Sequence, residues 1–409
     1  MKLLVIGHTY PEPRTTAAGR RIVQLLQMFD EEGYSVTFGT TASKSEFSVD
    51  LKGLGIQRAV LELNNPSFDT FITELNPDVV VFDRFVTEEQ FGWRVAQQCP
   101  DALRILDTED LHFLRKARQD AFRNEAEVGE VSLLTDTAKR ELASIYRSDL
   151  SLLISEVELE LLLTRFKLPK EILHYLPFLE KAISEEEKNV LPKFEERHHF
   201  MTIGNFQHAP NLDAVLHLKK ELWPGIKKQL PKAELHIYGA YAPQQVLELH
   251  SEREAFLIRG WAKEVDEVMR QAKICLAPLR FGAGLKGKLI DAMRNGTPSV
   301  TTGIGAEGIQ GILPFAGEVK DEATEFISAC VRLYSEEKAW EQAQENGFQI
   351  IASRFQKKTF SEGFKQKLKH LQQHLDAHRE FNFMGRILEH QSMRATTYMS
   401  KWIEEKNRS

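Results

Sequence analysis

The sequence predicts an α/β protein with two Rossmann-like, doubly wound domains that face a central crevice, followed by C-terminal helices. Short apolar runs alternate with charged segments of helical period, which is typical of a parallel sheet with helices on both faces. This alternation stops once, in the charged and proline-punctuated stretch LEKAISEEEKNVLPKFEERHH, and then begins again. A chain of 409 residues is also too long for one ordinary core and long enough for two.

Each predicted domain has its own set of apolar runs that are expected to form strands. In the first domain, residues 1–180, the runs are 2–7, 34–39, 78–82, 103–107 and 150–154. In the second domain, residues 199–355, they are HFMTIG, AELHIYG, AFLIRG, KICLAPL and TPSVTT, and the clearest helix is NLDAVLHLKKELWPGIKKQL. Residues 356–409 are polar with scattered aromatics, and they predict a helical segment without strands.

Composition excludes several classes of function. The net charge of -6, from 53 basic and 59 acidic residues, gives no electrostatic footprint for nucleic acid. Cys99, Cys275 and Cys330 are odd in number and far apart, so they predict neither a disulfide framework nor a zinc cluster, and a reducing cytoplasm is the simplest location. No apolar run is long enough for a membrane span, so we expect a protein that is at most peripheral, at the inner face of a membrane.

The stretch PLRFGAGLKGKLIDAMRNG, residues 278–296, predicts an anion site at the crevice. It reads as the end of a buried strand, a glycine loop and the start of a helix. A helix N-terminus presents free N–H groups and the positive end of its dipole, and the glycines Gly282 and Gly284 let a ligand approach the backbone. In open α/β sheets, ligands bind beyond the carboxyl ends of the strands, which in a two-domain chain face one crevice.

The first domain offers a matching segment, HTYPEPRTTAAGRRIVQLLQMF. It also follows a predicted strand, it has Gly19 at the predicted helix start, and it adds Arg14, Arg20 and Arg21. Gly19 is a candidate donor-binding residue, and the alternative is that it merely permits the backbone geometry of the turn.

The second domain resembles the nucleotide-sugar half of the GT-B glycosyltransferases of the retaining family four, the glycosyl transferases group 1. The resemblance depends on PLRFGAGLKGKLIDAMRNGTPSVTTGIGAEGI and on TIGNFQHAPNLDAV followed by AELHIYG, and it extends loosely over about residues 1–355. It implies the GT-B fold and transfer of a hexosyl group from a nucleotide-sugar donor with retention. It also implies no cofactor and no obligatory metal. The acceptor is left open between a carbohydrate, a lipid-linked molecule and a protein.

The resemblance carries over unevenly at the donor site. Of the family's two acidic residues in this loop and helix, the second, which holds the ribose hydroxyls, is Asp291, whereas the first is replaced by Ala283. The family's arginine and lysine pair for the diphosphate is missing from NFQHAPN, so Arg280, Lys286 and Lys288 are the expected suppliers of charge.

Helical geometry sorts these side chains. At 100° per residue, Lys286 falls within the apolar arc of the predicted helix, where a cation needs an anion, and Lys288 and Asp291 fall on the opposite side. The alternative for Lys286 is that it reaches solvent past the sheet end, and the alternative for Lys288 and Asp291 is an ordinary surface ion pair.

Two further segments supply candidates. In TTGIGAEGI, Glu307 could meet sugar hydroxyls beside a second helix N-terminus, and the alternative is a plain glycine turn. In RILDTEDLHFLR, Glu109 and His112 are candidate catalytic residues, because carboxylates and a histidine can orient and polarise acceptor hydroxyls. The resemblance also places a histidine on this loop. The alternative is that these residues cap or pack a helix.

Two other functions and one structural question remain open at this stage. A sugar-nucleotide epimerase on the same scaffold would need no acceptor, and a catalytically inactive GT-B module would act as a binding partner.

In GT-B enzymes the final helix crosses back to the first domain, and here Phe381, Met384 and Leu388, with Phe383 and Ile387, form a possible docking face. The alternative is a tail that docks on a membrane or a partner through Arg386, Arg394, Lys401 and Trp402.

Overall fold

The computed structural model describes residues 1–126 and 133–408, and within these ranges it contains two parallel β-sheets. The strands of the first sheet are β1 (Lys2–Gly7), β2 (Ser35–Thr40), β3 (Gln57–Val60), β4 (Val79–Asp83), β5 (Leu103–Asp107), β6 (Leu150–Leu153) and β7 (Leu173–Tyr175). Their order is β3-β2-β1-β4-β5-β6-β7. The order runs outward from β1 in both directions, which is the doubly wound topology.

The second sheet repeats this plan with strands β8 (His199–Ile203), β9 (Leu235–Tyr238), β10 (Phe256–Gly260), β11 (Ala272–Ala277), β12 (Ser299–Thr301) and β13 (Gly317–Val319). The order is β10-β9-β8-β11-β12-β13. The α/β class with two doubly wound domains is therefore confirmed.

All ten predicted strands are present, and the three that the sequence did not predict are edge strands. These are β3, β7 and β13, which have the sequences QRAV, LHY and GEV. An edge strand has one paired side, so it can be short and partly exposed, and it lacks the apolar run that marks a buried strand.

Helices connect the strands and cover both faces of each sheet. In the first domain they are α1 (Ala17–Glu31), α2 (Ser67–Leu75), α3 (Arg84–Gln98), α4 (His112–Arg123), α5 (Asp136–Arg147) and α6 (Glu156–Thr164). A 3₁₀ turn (Lys170–Ile172) joins α6 to β7, and the connection to the second domain contains α7 (Glu185–Asn189) and a second 3₁₀ turn (Phe194–Glu196).

In the second domain the helices are α8 (Ala209–His217), α9 (Trp223–Gln229), α10 (Gln244–Leu247), α11 (Val265–Gln271), α12 (Gly287–Arg294), α13 (Gly303–Ala306), α14 (Ala323–Ser335) and α15 (Glu337–Arg354). A π-helical turn, Leu218–Leu222, joins α8 to α9 where Pro224 cannot donate a backbone hydrogen bond. The C-terminal helices are α16 (Lys357–Gln373), α17 (Leu375–Phe381) and α18 (Phe383–Arg408).

Strand alternation builds two apolar layers on the first sheet. Leu4 and Ile6 of β1 pack on one face with Phe82, and Leu3 and Val5 pack on the other face with Val81. Successive side chains of a strand point to opposite faces, so strands that are apolar throughout require helices on both sides. Because the strands are parallel, their carboxyl ends and the loops that follow them lie at one edge of the sheet, and this edge faces the second domain.

The C-terminal segment returns to the first domain. Backbone hydrogen bonds join Glu180 N–H to the Phe355 carbonyl and Lys357 N–H to the Glu180 carbonyl, both at 2.7 Å. Beyond them, α16 inserts Phe364, Leu368 and Leu371 into the core of the first domain. Ser409, the last residue of the predicted segment, lies outside the described residues.

The prediction that the apolar face of this segment docks on the first domain is wrong. Phe381 and Phe383 are 56% and 63% exposed, and Met384 and Ile387 are exposed as well. The contact with the first domain is largely polar instead: Arg379 donates to Asp149 at 2.8 Å, and Asn382 donates to the Tyr146 carbonyl at 2.7 Å. The predicted stripe of Phe381, Met384 and Leu388 is also interrupted, because α17 ends at Phe381 and α18 begins at Phe383. Leu388 is half-buried. The polar and charged partners on the first domain decide which side of these helices faces inward.

Candidate active site

A cavity of about 560 Å³ lies between the two domains at the carboxyl ends of both sheets. This volume is within the usual range of ligand pockets. The first domain lines it with residues that follow β1, β4 and β5, and the second domain with residues that follow β8, β9 and β11. The crevice predicted from the sequence is therefore a real cavity with contributions from both domains.

The glycine loop between β11 and α12 has the backbone that the sequence predicts. Gly282 and Gly284 have φ values of 146° and 63°, which favour glycine. A Cβ on Gly284 would also lie 2.7 Å from the Asp110 Cβ of the first domain. Gly284 is therefore needed both for the turn and for the close approach of the two domains.

Lys286 is the N-cap residue of α12, which begins at Gly287, so it precedes the helix and does not lie in its first turn as predicted. Its ammonium group donates to the carbonyl oxygens of Ala283 and Gly284 at 3.1 and 2.6 Å. Burial lowers its pKa, against the opposing effects of Glu307 and Glu158. The structure thus holds this cation beside the helix N-terminus and within the cavity lining, and it does not direct it to solvent.

Lys288 and Asp291 do not form the surface pair that was one alternative. Lys288 donates to the Asn211 side chain at 2.8 Å, and burial lowers its pKa to about 8. Asp291 forms an ion pair with Arg20, which reaches across from α1 of the first domain. Both residues line the cavity.

Two helix N-termini meet at this point. A Cβ on Gly287, the first residue of α12, would lie 2.8 Å from the Ala17 Cβ at the start of α1. The positive ends of both helix dipoles therefore converge on the part of the cavity that contains Lys286 and Arg20. Such an arrangement favours an anion with several negative oxygens.

The structure assigns Gly19 to packing and not to ligand contact. A Cβ at this position would lie 2.6 Å from backbone atoms of Glu12, and the Gly19 N–H donates to the Thr16 side chain at 2.9 Å. Its donor group is therefore already used in the cap of α1. This agrees with the alternative in which Gly19 serves the backbone geometry of the turn.

Arg280 and Glu307 are engaged outside the cavity lining. Arg280 forms a two-pronged contact with Asp213 at 2.9 and 2.7 Å and lies over the Phe122 ring. The Glu307 carboxylate accepts two hydrogen bonds from the guanidinium of Arg118, in α4 of the first domain, at 2.9 and 2.8 Å. The predicted N–H donors near Glu307 are also occupied, because Gly303 donates to Asp321 and Gly305 to Thr302.

The first-domain wall of the cavity contains the two predicted catalytic candidates. The His112 ring lies with Nδ1 3.1 Å from the Asp110 carbonyl oxygen and packs edge-on to Phe85. If Nδ1–H donates to this carbonyl, Nε2 is an acceptor for an incoming hydroxyl. Glu109 is 6% exposed, and its Oε1 is buried without a hydrogen-bond partner.

Strained backbone marks this wall. Glu109 and Arg84 have φ values of 61° and 71°, which cost energy for residues other than glycine and often occur at functional sites. Burial raises the pKa of Glu109 well above its usual range, and the nearby Asp107 carboxylate adds to this effect. Arg84 opposes the shift and lies at the same edge, after β4.

Sequence reasoning missed several residues of the cavity. His8 and Arg84 follow β1 and β4 directly, and the rule that ligands bind at the carboxyl ends of parallel strands could have found them. His208 and Asn205 belong to NFQHAPN, a segment that carries part of the family resemblance but lacks the cation pair of the family. Burial lowers the pKa of His208 to about 4, so it is a neutral hydrogen-bonding group near pH 7.

Comparison with known proteins relates this geometry to an enzyme family. Residues 197–336 match the family model of glycosyl transferases group 1. The fold is similar to that of sucrose-phosphate synthase from Thermosynechococcus elongatus, with 15% identity and a TM-score of 0.66 over 90% of this chain and 98% of that one. No curated protein matches the sequence.

Two other solved structures are similar along their whole length. HepE from Anabaena, solved in complex with UDP and glucose, has 12% identity and a TM-score of 0.65 over 91% of this chain and 100% of that one. WaaG, a glycosyltransferase involved in lipopolysaccharide biosynthesis, has 12% identity and a TM-score of 0.60 over 88% of this chain and 98% of that one. The predicted resemblance is therefore confirmed: the chain has the GT-B glycosyltransferase fold, and residues 197–336 of its second domain match the family model of glycosyl transferases group 1.

Proposed function

We propose that this protein transfers a hexosyl group from a nucleoside-diphosphate sugar to an acceptor hydroxyl, with retention of anomeric configuration. The observation that carries the proposal is the meeting of Lys286, Arg20 and two helix N-termini in a cavity whose first-domain wall contains His112 and Glu109. The cations and the helix N-termini suit a diphosphate, and the histidine and carboxyl groups suit acceptor hydroxyls.

The diphosphate of the donor would lie against the glycine loop and the start of α12. Lys286 is already oriented there by two backbone carbonyls, and Lys288 lies in the same helical turn. Exchanging carbonyl contacts for phosphate oxygens replaces neutral hydrogen bonds by stronger charge-assisted ones. Asp291 would receive the ribose hydroxyls, as the family resemblance implies.

Arg20 is the candidate replacement for the cation pair that the sequence lacks. It lies over the Phe178 ring at 5.0 Å, and its Nε and Nη2 groups are buried without hydrogen-bond partners. Buried donors without partners are costly, and a phosphate oxygen would satisfy them. Because Arg20 belongs to the first domain, donor binding would also draw the two domains together.

The chemical step can be written with the groups present. The bond between the sugar C1 and the phosphate oxygen breaks, and its electron pair stays on the leaving diphosphate. The acceptor oxygen forms the new bond to C1 on the same face, and its proton passes to the departing phosphate oxygen. Lys286 and the loop N–H groups stabilise the negative charge that develops as the bond breaks. No carboxylate nucleophile is required, and His112 and Glu109 orient the acceptor.

A donor titration followed by a product assay tests the proposal. We expect saturable binding of one of UDP-, GDP- or ADP-sugars and release of the nucleotide that requires an acceptor hydroxyl. Nucleotide release without any acceptor would instead support an epimerase, and no binding of any donor would support an inactive module. The anomeric configuration of the product, read by NMR, decides retention.

Two further expectations belong to this proposal. We propose that turnover persists in the presence of EDTA, because lysine, arginine and backbone N–H groups supply the charge that a metal would supply. We also propose a cytoplasmic location, where nucleotide sugars are made and where Cys99, Cys275 and Cys330 stay reduced, as they are in the structure.

A further inference from the structure

The outer surface of α18 exposes large apolar side chains near both ends of the helix. Near its start, Phe383, Met384 and Ile387 are exposed, with Ile387 at 49%. Near its end, Tyr398, Met399 and Trp402 are exposed, with Tyr398 at 71% and Trp402 at 64%. Clusters of exposed large apolar side chains often mark a binding surface.

The opposite surface of α18 is fixed against the first domain. Gly385, Met393 and Ser400 are buried there, and a Cβ on Gly385 would lie 2.1 Å from the Tyr146 carbonyl oxygen of α5. At 100° per residue, Ile387 and Trp402 point away from this buried line. Close packing on one side of α18 therefore determines which side of the helix is exposed.

The charges of α18 are sorted in the same way. Its acidic residues Glu389 and Glu404 face inward, where Glu389 accepts from Arg104 at 2.7 Å and Glu404 pairs with Arg94. The basic residues Arg394 and Lys401 are exposed on the outer side, together with one acid, Glu405, whereas Arg386 lies beside Arg104 and Pro100 of the first domain. The outer surface thus combines aromatic and aliphatic side chains with an excess of positive charge.

We propose that the outer face of α18 docks on the surface of an anionic phospholipid membrane. Trp and Tyr suit the boundary between headgroups and acyl chains, and lysine and arginine are attracted to anionic lipid. A second copy of this chain fits the face less well, because a symmetric pairing would bring the cations of two α18 helices together. Within the described residues, no helix is long and apolar enough to cross a membrane, so the contact is peripheral.

Docking through α18 would place the first domain at the lipid surface. The helix packs on α3 and α5, and α3 begins at Arg84, which lines the cavity on its acceptor side. The inference does not depend on the proposed transfer reaction, because vesicle binding can be measured without a donor or an acceptor.

Co-flotation of the full chain with vesicles tests the inference. We expect binding to vesicles of phosphatidylcholine with phosphatidylglycerol, little binding to phosphatidylcholine alone, and weakening at high salt. Each cation near an anionic surface strengthens binding about fivefold, so the double variant R394Q/K401Q should bind roughly 25-fold less tightly. The double variant K228Q/K232Q changes two exposed cations of the second domain and should bind normally.

Apolar contact is tested separately. I387E should reduce binding, whereas I312E, at a fully exposed isoleucine of the second domain, should not. Tryptophan emission should shift to the blue on anionic vesicles, and W402F should abolish the shift. The inference is overturned if the wild-type chain binds neither vesicle, or if it is a dimer that I387E converts to a monomer. Circular dichroism of each variant checks that the fold is retained.

Discussion

The carboxylate of Glu158 joins the two domains through a single oxygen. Its Oε1 accepts from the Leu111 N–H in the first domain at 3.2 Å and from the Gly284 N–H in the donor loop at 2.8 Å. Oε2 is buried without a partner. Burial, with the Asp110 charge nearby, raises the pKa of Glu158 to about 8. A neutral side chain therefore suits this position at physiological pH.

Glu158 should make the stability of the protein depend on pH. In the unfolded chain its pKa is near 4.5, so between about pH 4.5 and 8 the folded state holds a proton that the unfolded state has released. The stabilisation is complete below this window and is lost as the pH rises through it, by on the order of a few kcal/mol.

Chemical denaturation of wild type and E158Q from pH 5 to pH 9 measures this effect. Gln keeps an acceptor oxygen and cannot titrate, so the stability of wild type relative to E158Q should fall with rising pH. E160Q, an exposed change on the same helix, is the control. A difference between wild type and E158Q that is constant over this range would contradict the assignment.

Lys286 should be needed for turnover and not for folding. Removal of a charge-assisted contact from a water-poor site costs roughly 2 to 4 kcal/mol of transition-state stabilisation, so K286A should lower kcat/KM on the order of a hundredfold or more. K320A, at a half-exposed lysine of the second domain, should leave the rate unchanged. Wild-type turnover in K286A would refute the placement of the diphosphate.

Asp291 should contact the donor as well as Arg20. D291A should lower transfer on the order of a hundredfold, through loss of the ribose contact. The alternative is that Asp291 serves only as the counter-ion of Arg20, and a double-mutant cycle separates the two roles. Donor affinity should fall when D291A is introduced into an R20M background. Recovery of donor affinity in the R20M/D291A variant would show that Asp291 acts only through Arg20.

His112 should act on the acceptor side of the reaction. H112A should reduce transfer much more than it weakens nucleotide binding, because the His112 ring belongs to the first-domain wall, whereas Lys286 and Lys288 belong to the second domain. H250A, at an exposed histidine of the second domain, controls for a general effect of losing an imidazole. Loss of nucleotide affinity with an unchanged rate at saturating donor would argue against this role.

The sequence predicted the structural features that a local pattern of residues determines. Buried strands such as β4 and β11 are apolar throughout, and the glycine loop with Lys286 follows one of them, so both were found. Contacts between the domains were not predictable. Arg20, Arg118 and Glu158 lie on helices whose partners belong to the other domain, and helical periodicity shows only that such a face exists. Lys288 was placed on the opposite side from the apolar arc, and a contact within the second domain covers it, because Asn211 is distant in sequence.

The C-terminal helices should stabilise the first domain through buried ion pairs. Arg379 holds Asp149, whose side chain is 2% exposed, and it also donates to the backbone carbonyls of Pro100 and Ala102. A chain that ends after residue 375 would leave the Asp149 carboxylate with one fewer cation in a buried position. Breaking a buried pair in this way costs about 3–5 kcal/mol.

Truncation after residue 375 should therefore lower the melting temperature and the transfer rate together. The rate falls because α18 packs on α3, and α3 begins at Arg84 in the cavity wall. A chain that ends after residue 382 keeps Arg379 and Asn382 and removes only α18, so it should lose less stability. Thermal unfolding and transfer to a soluble acceptor, measured on both chains, test this order. Unchanged values for the shorter chain would show that α17 and α18 are an appendage without a structural role.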